Sequence, residues 1–258
     1  MSAYFFATAA KSAVGLVRSG NEDSAMTSRS LVAVADGMGG HAAGEVASRI
    51  AIAAMAKASE IFTSKDVDTD SADDLFSSTL TLIDSTISEY AIENPALAGM
   101  GTTLSALFLR NGAVAALHVG DSRIYRLRGN SLEQLSTDHT VIQELLSQGT
   151  ITEAEIATHP QRSVLTQVLM GDGRNQPSLS IYEVRADDRF LLCSDGLNGV
   201  LSDKEIKSIL KGKARSAAVD ALVDAAYING APDNVTVIVA DVLDNDIQEP
   251  LTLLGAAK

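Results

Sequence analysis

The chain has 258 residues, 46% hydrophobic and 21% charged, and its 20 Lys and Arg against 33 Asp and Glu give a formal net charge of −13. That length and apolar fraction supply one large core or two small ones, and the acidic balance excludes charge-driven binding to a nucleic-acid backbone. The single cysteine, Cys193, excludes an internal disulfide and fits a reducing compartment. The apolar run Tyr4–Ala10 has no basic residue ahead of it and is too short for a signal peptide. No apolar run reaches the ~20 residues that span a bilayer. The expectation is a soluble, cytoplasmic protein.

In chain order, Tyr4–Ala9 reads as a strand and Gly15–Ser24 as a polar turn that brings Arg18, Glu22 and Asp23 close together. Leu31–Ala35 is a short apolar run without helical period, followed by glycines, and predicts a buried strand. Ala43–Phe62 places Val46, Ile50, Ala54 and Ile61 on one helical face. After a polar linker at Thr63–Ser71, Ala72–Asn94 predicts a second helix, with Ser71 and Asp74 as its cap. Asn111-Gly112 and Gly129-Asn130 mark hairpin turns between Thr102–Arg110 and Ala113–Val119, and between Ile124–Arg128 and Leu132–Leu135. Two hairpins in succession predict an antiparallel meander.

Thr140–Gln148 and Thr152–Ala157 are short helical pieces, the second with a Thr152…Glu155 capping box. Leu179–Val184 and Arg189–Cys193 read as strands. Ser202…Glu205 opens a helix to Leu210, and Ser216–Ile228 is a helix with Val219, Leu222, Val223 and Ala226 inward. Asn234–Val242 is the last predicted strand, and Asp244–Lys258 reads as a tail without period. Helices do not alternate with strands, so a doubly wound parallel sheet is disfavoured. The predicted class is α+β: an antiparallel β-sandwich flanked by helix pairs.

The stretch Leu31–Gly44 admits two kinds of site. Gly37-x-Gly39-x-x-Ala42 matches a relaxed dinucleotide fingerprint, whereas Asp36 with His41 fits a metal ligand beside an acid–base group. The fingerprint needs a βαβ unit, and here the helix from Ala43 leads into another helix. The metal reading gains from recurrence. Asp36, Asp121 and Asp195 each follow a predicted strand, and Asp233 precedes one. One Asp-Gly at a strand end is ordinarily a turn. Four in matching places, with Glu22 and Asp23 in addition, point to a shared pocket. Like charges ~4 Å apart repel by about 4 kcal/mol at an effective dielectric near 20, so such a pocket calls for cations. Oxygen-only donors suit magnesium, manganese or calcium rather than zinc. Arg18, alone a surface charge, becomes a phosphate clamp beside such a pocket. His118 reads as structural, and Cys193 as buried and inert.

These residues fall into blocks: Gly15-Leu-Val-Arg18 with Asn21-Glu22-Asp23, Asp36-Gly37-Met38-Gly39-Gly40-His41, Gly101-Thr102-Thr103, Gly120-Asp121-Ser122-Arg123, Ser194-Asp195-Gly196, and Asp233-Asn234-Val235-Thr236. Together they resemble the metal-dependent protein serine/threonine phosphatases of type 2C in their compact bacterial form, across about residues 4–242. The resemblance implies one catalytic domain over residues 1–243, with a flap near 137–165 and residues 244–258 outside it. It implies hydrolysis of protein phosphoserine and phosphothreonine by a metal-bridging hydroxide, reversing kinase signalling. Two core Mn2+ or Mg2+ ions and a weaker third are implied, with Asp36, the Gly37 carbonyl, Glu22, Asp195 and Asp233 serving the core pair. Asp121 and Asp195 serve the third. Asp23 is implied to orient water, Arg18 to hold phosphate and His41 to protonate the leaving oxygen. The implied partners are phosphorylated proteins, met by a monomer, with neither nucleic acid nor membrane. A non-enzymatic binding module on the same scaffold would have lost carboxylates, and none is missing. Ala13, Gln167 and Met170 depart from the family pattern without touching a metal carboxylate.

Overall fold

The computed structural model of the chain describes residues 4–39, 43–62, 71–156, 159–245 and 248–258. The elements begin with β1 (Phe5–Ala13), β2 (Asp23–Thr27), β3 (Leu31–Met38), α1 (Ala43–Phe62) and α2 (Ala72–Glu93). A 3-10 turn at Pro95–Leu97 leads to β4 (Gly101–Thr102), β5 (Leu104–Arg110), β6 (Ala113–Val119), β7 (Arg123–Arg128) and β8 (Ser131–Gln134). Then come α3 (Val141–Ser147), α4 (Glu153–Ile156), β9 (Ser178–Glu183), β10 (Arg189–Cys193) and α5 (Asp195–Asn198). The chain closes with α6 (Asp203–Leu210), α7 (Arg215–Ile228), β11 (Val235–Leu243) and β12 (Thr252–Gly255).

Two antiparallel sheets lie face to face, one ordered β1-β11-β10-β7-β8 and the other β12-β2-β3-β5-β6-β9, with β4 paired to β3. Strand β3 shows why its sequence is apolar without alternation. Val32 and Val34 enter the core between the sheets with Phe6, Phe190 and Ile238. Leu31, Ala33 and Ala35 enter a second core with Ala47, Ile52 and Met55 of α1 and Phe76 of α2. Both faces are covered along Leu31–Ala35, so every side chain there is apolar. On the far side of the molecule, Leu191, Val237 and Val239 pack against Ile206, Val219, Leu222 and Ala226 of α6 and α7. The layers are therefore helix, sheet, sheet, helix, as the α+β expectation required.

Three local expectations differ from the structure. The meander is absent: β5 and β6 belong to one sheet, β7 and β8 to the other. Each hairpin is as read, with Asn111 and Gly112 at φ 51° and 82° and both central residues left-handed, as a type I′ turn demands. Between the hairpins the chain changes sheets at Gly120-Asp121-Ser122, and Gly120 turns at φ 105°. Turn chemistry sets the pairing inside a hairpin but not which sheet the next one joins. The segment read as a tail supplies β12, which pairs Thr252–Gly255 with Ser24–Thr27 at the edge of the larger sheet. Four residues are too few to show a period. Ser71 has helical dihedrals (φ −80°, ψ −7°), so the Ser71…Asp74 cap does not define the start of α2. By contrast, the Ser202…Glu205 capping box forms in both directions.

Candidate active site

The site residues lie on strand ends and on the loops that leave them. Asp23 opens β2 and stands opposite Asp36 near the end of β3. Asp121 lies in the sheet-to-sheet crossover after β6, Asp195 opens α5 directly after β10, and Asp233 precedes β11. Close backbone approach gathers these ends. A Cβ on Gly37 would lie 2.1 Å from the Gly44 carbonyl oxygen, and one on Gly196 would lie 1.9 Å from that of Asn234. Only glycine allows those contacts.

Neutral residues hold the acidic ones. Thr103 Oγ1 accepts from the Asp36 amide at 3.0 Å and shares a 2.7 Å hydrogen bond with Ser122 Oγ, which ties β3 to the Asp121 crossover. Ser194 Oγ donates to Asp23 Oδ2 at 2.7 Å. Asn234 accepts from the Glu22 amide at 2.8 Å and donates to the carbonyls of Val14 and Gly20, each at 2.8 Å. It thereby fastens the loop that carries Arg18 and Glu22. Sequence reading placed Asn234, Thr103, Ser122 and Ser194 inside motif blocks without giving them a task. Without charge, they offered no signal beyond position.

Arg18 points into the cluster: its Nη2 donates to Asp233 Oδ2 at 2.6 Å. Asp233 Oδ1 also accepts from the Asn234 amide at 2.8 Å. Burial raises Asp36 well above the ordinary carboxylate range, and the charges of Asp23, Asp195, Asp121 and Asp233 push it further. Burial pushes Asp23 up to about 7 despite hydrogen bonds from Ser194 and Thr236. Asp121 rises to about 7 through burial and then Asp195. Asp195 rises through burial and Asp233 and is eased by a hydrogen bond with Asp36. Glu22 rises through burial, against the pull of Arg18. Glu22, Asp23, Asp36, Asp121, Asp195 and Asp233 are thus one electrostatic unit. His41 lies outside the described residues.

Among the described residues no three His, Cys, Asp or Glu side chains are already arranged around one point as a ligand set. The donor chemistry nevertheless fits hard divalent cations. Every candidate donor is a carboxylate or carbonyl oxygen. Asp23 Oδ1 is buried without a hydrogen-bond partner, a costly condition that a cation-held water relieves.

Two other residues behave as read. His118 is buried, shares a 2.9 Å hydrogen bond between its Nδ1 and Ser105 Oγ, and is held down to about 3 by burial and by His139. Cys193 is fully buried, and burial pushes its thiol up to about 12, so no reactive thiolate forms. Gln167, one of the family departures, accepts from the Gln176 amide at 2.9 Å.

The Protein phosphatase 2C family model matches residues 21–225. The chain belongs to that family. It is 42% identical over 252 residues to the serine/threonine protein phosphatase PstP of Mycobacterium tuberculosis, covering 96% of this chain and 47% of that protein. The chain therefore spans about half the length of that mycobacterial relative. It is 33% identical over 237 residues to the serine/threonine phosphatase stp of Listeria welshimeri, covering 88% of this chain and 92% of that one. Among solved structures, the catalytic domain of PstP in complex with two manganese ions superposes with a TM-score of 0.85 at 39% identity, covering 93% of this chain and 99% of that one.

Proposed function

We propose that the chain hydrolyses phosphoserine and phosphothreonine in proteins, with Mn2+ or Mg2+ as cofactor, and so reverses serine/threonine kinase signalling. The observation that carries the reading is the gathering of acids at one edge, where Asp23 is fully buried opposite Asp36 and Arg18 lies on Asp233; the acids there raise one another, a repulsion that divalent charge would relieve. Asp36, the Gly37 carbonyl, Glu22, Asp195 and Asp233 hold two core ions, and Asp121 with Asp195 holds a third. When bound, the cations neutralise these acids and supply Lewis-acid activation of water for attack on phosphorus. Arg18, which lies against Asp233, holds phosphate oxygens. Asp23, fixed by Ser194, orients the attacking water. His41 donates a proton to the serine or threonine oxygen as it departs, because an alkoxide is a poor leaving group.

The segment from 137 to 165 carries α3 and α4 and serves as the flap beside the site. Its root is fixed where the His139 amide donates 2.7 Å to the Gly120 carbonyl. The partners are phosphorylated proteins. Charge disfavours nucleic acid as a partner, given a net −13. Among the described residues no helix is long and apolar enough to cross a membrane. The free, buried Cys193 suits a reducing cytoplasm, and the catalytic domain acts as a monomer. Phosphate release from a phosphopeptide panel tests the reading. Turnover with manganese that vanishes in excess chelator supports it, whereas equal turnover in chelator, or release from nucleotides alone, refutes it.

A further inference from the structure

Strand β12 brings the end of the chain onto the root of the site. Gly255 pairs with Ser24 across the sheet, and the Ala256 amide donates 2.8 Å to the Asp23 carbonyl. Gly255 sits at φ 66°, and a Cβ there would stand 2.1 Å from that same carbonyl oxygen and 3.0 Å from Ser12 Oγ. Ser12 Oγ in turn accepts from Asn21 Nδ2 at 2.8 Å and shares a 2.7 Å hydrogen bond with Thr236 Oγ1. Asn21 Oδ1 accepts from the Asp23 amide at 3.1 Å. The backbone of Asp23 is thus held on its amide side by Asn21 and on its carbonyl side by β12, while Ser194 fixes its carboxylate.

The strand has its own anchorage. Glu249 accepts from the Thr8 amide at 3.1 Å and from the Thr8 hydroxyl. Leu253 and Ala257 pack against the core under α1 and α2, and Leu254 against the core between the sheets. All of this lies beyond the span 21–225 over which the family model matches.

We infer that the Gly255-Ala256 step is a positioning element of the active site, fixing the Asp23 backbone so that its carboxylate meets Ser194 and faces Asp36. The inference rests on the phosphatase reading and on the water-orienting task of Asp23. It separates β12 from a strand that merely covers a sheet edge, because the contact with Asp23 runs through one amide and one missing Cβ.

Three variants of the full chain test it. Gly255→Ala inserts a Cβ into the 2.1 Å gap, Ala256→Pro removes the amide donor, and Leu253→Ala weakens β12 packing without touching Asp23. With manganese and a phosphopeptide, Gly255→Ala and Ala256→Pro are expected to lower kcat by about tenfold to a hundredfold with KM little changed, the scale of a small misplacement of a catalytic group. Leu253→Ala is expected to lower Tm and leave kcat and KM as they are. Unchanged kcat in both of the first variants overturns the inference, as does an equal kcat loss in Leu253→Ala. Should neither of the first two fold, amide exchange at Ala256 in the metal-free wild type decides. Protection like that of the β3 amides supports the inference, and exchange as fast as an unstructured segment overturns it. A wild type that releases no phosphate from any phosphopeptide defeats the phosphatase reading itself, which the exchange result does not address.

Discussion

Asp23 and Asp36 face each other across the β2–β3 ladder, and the groups that bond Asp23 are neutral hydroxyls rather than cations. Its pKa in the fold, about 7, lies above the ordinary 3.8, so the folded state holds this proton more tightly than the unfolded chain. The stabilisation linked to that proton is complete below about 4 and is lost as pH rises through about 7. In chelator, Asp23→Asn should therefore gain thermal stability relative to wild type between about pH 4 and pH 7, converging below that range. A Tm difference independent of pH would contradict the burial of an ionisable Asp23. His41 carries a separate prediction. His41→Gln should slow phosphopeptide hydrolysis far more than hydrolysis of p-nitrophenyl phosphate, whose leaving group needs no proton. Equal losses would remove His41 from the acid role. At this scale Asp36, Asp121 and Asp195 stood out in the sequence because each lies at a strand end beside a glycine. Asn234, Thr103 and Ser122 were not, because a neutral side chain shows its task only through partners far away in sequence.

The elements divide by how local their determinants are. Helices α6 and α7 were legible in period and boundary, and the capping box at Ser202 is completed by Glu205 Oε2 accepting from the Ser202 amide and hydroxyl. Removing it with Ser202→Ala should cost about 1 kcal/mol of unfolding free energy, read from the denaturant midpoint. The crossover and β12 were illegible because the choice of sheet depends on packing between segments remote in sequence. The segment after β8 shows the same dependence. Arg123, two residues after Asp121, grips Asp138 with its Nε at 3.0 Å and Nη2 at 2.7 Å, and also donates to Tyr125 Oη at 3.0 Å. Both partners are largely buried, at 25% and 13% side-chain exposure. Arg123→Met leaves the Asp138 carboxylate with only the Gln134 amide as a donor and should cost about 3 kcal/mol, while replacing both residues by apolar ones should restore much of that loss. A single variant as stable as wild type would show that the pair does not fasten the segment leading into α3.

Across the whole molecule, two sheets packed between helix pairs bring the ends of β3, β6 and β10 and the start of β11 to one edge. The acids carried there come from positions as far apart as Glu22 and Asp233, joined by Asn234 bonding the Glu22 amide. The layering was legible from the order of helices and strands, and the convergence of the acids from their repeated place at strand ends. What only three dimensions reveal is the neutral scaffold that joins them, with Asn234 on the Glu22 amide and Thr103 on the Asp36 amide. The proposed function requires divalent ions among these acids. A crystal of the full chain grown with manganese, phased near the manganese absorption edge, tests this most directly. Anomalous density between Asp36, Asp195 and Asp233 is the predicted result. Strong phosphatase activity with no anomalous scatterer among these carboxylates would contradict it.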